Sequence, residues 1–216
     1  MSNTEMTILL VRDTLPGNGL SPAHPFLHET VLNFSVDALT YPSPPSPQTG
    51  GHDPAYPRNK WFLIVETENT QACLSMQPYR NNRTGGNGVL VLQLMDNPLH
   101  TTPDLLYRQT YVCKSENLTG QDFLNVVLAH GWHKFELVNR RASGLFGRRF
   151  HMRAMLSDLQ DTNWIGDKSD QGLDVEDYLA REYVIRHRQG EEPRLITGIL
   201  DIREGRFRLD MATELI

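Results

Sequence analysis

Branched and aromatic apolar residues run in short blocks along this chain, and the blocks predict strands. Residues 6–12, 30–36, 61–66, 71–77, 89–95 and 109–114 are such blocks. Residues 67–70 form a short polar link, which makes 61–66 and 71–77 a hairpin. Turn-rich stretches at 13–19 and 81–88 separate other blocks, and 89–95 is apolar enough to be a central strand. The period then becomes helical. Thr119 and Asp122 have the spacing of a capping box, Phe123, Val126, Val127 and His130 share one face, and Gly131 ends the helix. Residues 134–138 return as a short strand, and 150–156 fit strand or helix. Val175, Leu179 and Tyr183 recur at i, i+4, with acids in the first turn and Arg186, His187 and Arg188 in the last. That pattern predicts a second helix over 174–187. Residues 197–209 read as a hairpin turning at Glu204-Gly205.

The connections between 61 and 114 are mostly too short for crossover helices. The expected fold is therefore α+β: a mainly antiparallel sheet with two or three helices packed on one face. The 216 residues suit a single domain spanning the chain. Six prolines and two glycines between Tyr41 and Pro57 break regular structure and predict a long surface loop.

Composition is ordinary for a globular protein, with 22% charged residues and 39% apolar ones. No apolar run approaches the length of a membrane helix, and the first ten residues lack the basic region of a secretory signal. Cytoplasmic residence is the resulting expectation. Cys73 and Cys113 are too few and too far apart for a disulfide framework or a zinc site, so buried free thiols are expected. Phosphate-loop and dinucleotide fingerprints are absent, as is a serine elbow. The nearest thing to metal spacing, His130-x-x-His133, is interrupted by Gly131. No metal site and no cofactor are expected.

A net charge of −5 argues against a protein that coats nucleic acid, and no DNA partner is expected. The charge is unevenly spread. Residues 132–153 carry Lys134, Arg140, Arg141, Arg148, Arg149 and Arg153 against Glu136 alone. Residues 155–184 carry eight acids against Lys168 and Arg181. Two readings stand: solvated faces that neutralise one another, or an anion-binding patch beside a cation-recognising one.

Five segments together suggest a family: 13–20, 59–66, 73–80, 88–93 and 144–151. Over residues 6–165 their layout resembles small fungal proteins of natural-product pathways, and among these the arginine-containing cyclodipeptide synthases. It departs from the bacterial cyclodipeptide synthases, whose Rossmann-like fold and serine pocket have no counterpart here. The resemblance implies a transferase of secondary metabolism. Such an enzyme takes arginine from arginyl-tRNA and a second residue from another aminoacyl-tRNA, and cyclises them to a diketopiperazine. Both esters arrive activated, so neither ATP nor metal is required.

The residue types agree with that chemistry. Arg140, Arg141, Arg148, Arg149 and Arg153 are the candidates for tRNA phosphates, which arginine forks bind bidentately. Glu176, Asp177 or Glu66 would meet a guanidinium. Glu66, His130 and His151 are candidate acid–base groups, and Ser75 or Tyr79 would hold an acyl intermediate. The alternative expectation is a small-molecule cyclase, isomerase or binding protein with no nucleic-acid partner. In that case the apolar sheet face lines a pocket, with Trp61, Phe62, Met76 and Tyr79 at its mouth.

Overall fold

Alternating side chains need a partner layer, and here six strands supply one sheet that buries its apolar positions beneath helices. The computed structural model describes residues 6–10, 20–39, 60–78, 88–96, 105–140, 144–146, 148–172, 174–179, 181–186, 194–199 and 206–207. The expected loop at 41–57 lies outside them. The elements begin with β1 (Met6–Leu10), α1 (Pro25–His28), β2 (Val31–Leu39), β3 (Lys60–Thr67), β4 (Thr70–Pro78), β5 (Gly88–Asp96) and β6 (Leu105–Val112). They continue with α2 (Gly120–Ala129), β7 (Phe135–Glu136), β8 (Val138–Arg140), β9 (Gly144–Phe146) and α3 (Arg148–Asp161). Last come α4 (Val175–Leu179), β10 (Arg181–Arg186), β11 (Arg194–Ile199) and β12 (Arg206–Phe207).

The large sheet has the order β1-β5-β4-β3-β2-β6, and every pairing in it is antiparallel. The fold is α+β. Register puts Phe34, Val65, Ala72 and Leu94 in one cross-strand row, and Val36, Leu63, Leu74 and Leu92 in another. All eight are at most 1% exposed and belong to the main core. The helices complete that core. Phe123 of α2 lies 5.9 Å from Phe34, and the Tyr178 hydroxyl of α4 donates to the Val36 carbonyl at 2.8 Å.

The expected cap of α2 is present. Thr119 accepts from the Asp122 amide, and the Asp122 carboxylate accepts from the Thr119 amide. Gly131 follows with φ +66, a conformation that costs glycine least. The ambiguous stretch at 150–156 lies within α3, whose buried residues His151, Met152, Met155, Leu156 and Leu159 follow a helical stripe. Lone strand edges invite aggregation, and the β6 edge is covered by residues 164–171. Lys114 donates to the Trp164 carbonyl, Asp170 to the Thr110 carbonyl, and the Gln171 side chain to the Arg108 carbonyl.

Two expectations are corrected. The helix expected over 174–187 ends after Leu179, and Arg181–Arg186 is a strand paired with Arg194–Ile199. Tyr183, Val184 and Ile185 favour a pleated backbone, and the register sets them against Thr197, Ile196 and Leu195. Among the described residues the hairpin expected over 197–209 likewise does not form. β11 pairs back to β10, while β12 pairs with β7.

Candidate functional site

The face of the sheet that turns away from the helices is unexpectedly polar. Register places Thr110, Ser35, Ile64, Cys73, Gln93 and Ile8 in one row across it, and Arg108, Asp37 and Phe62 in the next. Ser35, Asp37, Gln71 and Ser75 are at most 5% exposed there. Buried polar atoms are costly unless partnered. Ser35 and Thr110 share a hydroxyl contact at 3.1 Å, and the Gln77 amide donates to the Ser75 hydroxyl at 3.2 Å.

The centre of this face is a chain of three charges. Arg108 donates from Nε and Nη2 to the two oxygens of Asp37, at 2.7 and 2.8 Å. Its Nη1 then meets Oε1 of Glu66 at 3.6 Å. The Asp37 side chain is 3% exposed, whereas those of Arg108 and Glu66 keep 23% and 26%. Asp37 therefore forms the floor, and the other two face outward. The Asp37 hydrogen bonds are the main cause of an Arg108 pKa held above its ordinary value.

Glu66 sits one strand beyond Asp37 and four residues along β3 from Phe62, which stands opposite Asp37. On a flat sheet the Arg108 and Glu66 Cα atoms would lie roughly 16 Å apart. Two fully extended side chains lying along the surface would only just meet, and side chains stand off a sheet instead. Their contact therefore means that this face curls inward, as coiled sheets do. Cys73 on the same face is no nucleophile. Burial, reinforced by the Asp37 charge, pushes its thiol well above the ordinary range.

The expected site residues separate into two groups. Glu66 and Ser75 share the polar face. Trp61, by contrast, is on the helix face, 4% exposed, with the Tyr178 ring 5.4 Å away and the Arg149 guanidinium 5.3 Å over its ring. Met76 shares that buried core, whereas Phe62 is on the other face, so the pocket mouth expected for the alternative reading does not assemble. His130 caps the C-terminal end of α2 in the helix layer, its Nδ1 3.1 Å from Asp158 Oδ2. Trp132 Nε1 donates to the same oxygen. His151 is 1% exposed, bonded at 2.7 Å to the Trp132 carbonyl, and burial drops its pKa to about 4. It is a neutral core histidine. Tyr79 and Arg141 lie outside the described residues, and Arg140 is described only as backbone in β8.

Arg148, Arg149 and Arg153 are in α3 and half-buried. Arg153 stacks 5.0 Å over Phe150 and reaches Glu176 at 3.4 Å. The basic and acidic blocks therefore meet at that pair. Asp177 is exposed in α4, its amide donating to Asp174. Sequence reasoning misses Asp37 and Arg108, which lie 71 residues apart. The available signal is Asp37 itself, a charge between the strand block at 30–36 and the apolar Ala38 and Leu39. Among the described residues no group of three or more His, Cys, Asp or Glu could hold a metal ion, and no helix is long and apolar enough to cross a membrane.

Comparison with curated proteins gives no match, and comparison with solved structures gives none either. A family model does match, over residues 43–208, a span that holds Glu66 and Arg108 of the polar face but not Asp37. On that match the chain belongs to the family described as a domain of unknown function, DUF7770.

Proposed function

We propose that this protein is a tRNA-dependent cyclodipeptide synthase of fungal secondary metabolism, joining arginine from arginyl-tRNA to the residue of a second aminoacyl-tRNA. The observation that carries the reading is the Glu66 carboxylate. It stands on an inward-curling polar face, held by one long ion pair to an arginine that Asp37 already neutralises. Such a carboxylate suits an incoming ammonium and can take its proton. The freed amine attacks the other ester carbonyl, a C–N bond forms, the ester C–O bond breaks, and the ribose hydroxyl leaves with the proton. A second such attack closes the ring and releases the second tRNA. The Ser75 hydroxyl, on the same face, is the candidate for a transient acyl ester. The reaction belongs in the cytoplasm, where charged tRNAs are found, and it calls on neither metal nor cofactor.

The basic block is the separate, tRNA-binding part of the proposal. Arg148, Arg149 and Arg153 are on the helix side of the sheet, away from Glu66. Their engagement with Trp61, Phe150 and Glu176 favours a second reading, in which they are structural and the polar face serves a small-molecule cyclase or binding protein. Expression in bacteria tests both. Arginine-containing diketopiperazines in the medium, lost with Glu66→Gln, are the expected result. A folded protein that yields no new cyclic dipeptide would refute the synthase reading.

A further inference from the structure

We infer that the Asp37–Arg108–Glu66 chain is a receptor for one positively charged ligand group, guanidinium or ammonium, and that Asp37 determines this preference. The inference concerns the face used in the proposed reaction and rests on Glu66 being its working carboxylate.

The charge balance carries it. Two carboxylates face one guanidinium, so the chain has one negative charge in excess. Geometry decides where the excess resides. Asp37 takes two parallel donors of Arg108 at 2.7 and 2.8 Å, the bidentate arrangement that pairs a guanidinium with a carboxylate most strongly. What remains for Glu66 is Nη1 at 3.6 Å, longer than a hydrogen bond. Arg108 consequently orients the Glu66 carboxylate without satisfying it. Ser35 and Thr110 alongside are neutral, and Lys60, the other cation that the register places on this face, is six residues along β3 from Glu66, roughly 20 Å away, so neither it nor they offset the charge there.

An arginine facing a binding surface normally selects anions. Here the buried Asp37 reverses that: the anion Arg108 would bind is already built into the sheet beneath it. Exposure fits the same division, since Asp37 is closed off and the Glu66 side chain keeps 26% of its surface. A cation entering the face therefore meets an oriented carboxylate with open lone pairs, in surroundings drier than bulk water, where one charge counts for more.

The test uses the full chain and four short-chain probes: butylguanidinium, butylammonium, butylurea as the neutral near-isostere of the first, and anionic butyrate. Titration calorimetry or ligand-observed NMR should show the two cations binding about tenfold or more tighter than butylurea, the factor expected of one charge-assisted contact. Butyrate should be weakest. The order of the two cations assigns the group. Glu66→Gln should lose about tenfold for the cations and leave butylurea unchanged. The double variant Asp37→Asn/Arg108→Gln keeps the excess negative charge and should keep the cation preference. Asp37→Asn alone cancels it and should abolish the preference. If Asp37→Asn fails to fold, Glu66→Gln and the double variant decide. Equal binding of cation and urea, preference for butyrate, no binding of any probe, or an indifferent Glu66→Gln would each overturn the inference. A chain that makes the diketopiperazine without a cation preference overturns this inference alone. Cation binding at Glu66 without product overturns the reaction alone.

Discussion

Cutting the Asp37–Arg108 pair from one side should damage the fold more than removing both charges. Asp37→Asn leaves a guanidinium that is 23% exposed and has only Glu66, at 3.6 Å, for a counter-charge. Breaking a fully buried pair costs about 3–5 kcal/mol, and partial exposure brings this case to about 2–3 kcal/mol. Arg108→Gln strands the deeper partner. Asp37 is 3% exposed and loses two charge-assisted hydrogen bonds, so about 3–5 kcal/mol is expected. The double variant places an amide opposite an amide. It buries no charge and can restore one hydrogen bond, so its cost should be only about 1–2 kcal/mol.

The three variants and the parent close a double-mutant cycle with a coupling of about 3 kcal/mol or more. Urea unfolding followed by tryptophan fluorescence and far-ultraviolet circular dichroism measures it, provided the slope of free energy against urea is the same in all four chains. Added salt should reduce the coupling less than it reduces that of a surface pair, because Asp37 is buried and Arg108 largely so. Single costs that add to within about 0.5 kcal/mol would refute the reasoning. They would mean that water reaches Asp37 and that the pair is a surface contact, leaving Arg108 available for anions.

Three further outcomes follow from packing and protonation. His151 stays neutral in the fold down to about pH 4, while the unfolded chain takes up the proton near 6.5. Stability should therefore be intact above pH 6.5 and fall by about 3 kcal/mol towards pH 4, and in His151→Phe the urea midpoint should fall much less over that range. Burial raises the Glu29 pKa, but the hydrogen bonds from Thr67, Thr70 and Asn69 outweigh it and leave the value lowered. Its contribution is thus present above the unfolded carboxylate range and disappears as pH falls through the folded value. Glu29→Gln should flatten that acid limb, and an unchanged limb would show that the hairpin clasp contributes nothing. Gly120→Ala would place a methyl 2.0 Å from the Phe26 carbonyl, so α1 or α2 must shift, at a cost of about 2–4 kcal/mol in the unfolding free energy measured with urea. A neutral substitution there would contradict the close approach of the two helices.

The difference between what is legible in this chain and what is not follows the range of the interactions involved. Thr119, Asp122 and Gly131 lie within thirteen residues, and the cap, helix and stop they predict are all present, because each depends on its immediate neighbours. The β3–β4 hairpin is legible for the same reason: residues 67–70 are too short a link for anything but an antiparallel return. The helix expected over 174–187 fails at this boundary. Val175, Leu179 and Tyr183 have helical spacing, yet Tyr183, Val184 and Ile185 find Leu195, Ile196 and Thr197, and pairing with a partner strand outweighs local spacing. The candidate site is an extreme instance. Glu66 is readable as a strand carboxylate, but its meaning depends on Arg108, two strands away across the sheet, which depends in turn on Asp37, on the neighbouring strand but 71 residues distant along the chain. Only the register of β2 against β3 and β6 unites them, and no local pattern encodes a register. An aspartate between Val36 and Ala38, both fully buried, is what such an arrangement leaves behind in a sequence. Read physically, it demands a cation somewhere on the same face, and finding that cation is the step for which the fold is needed.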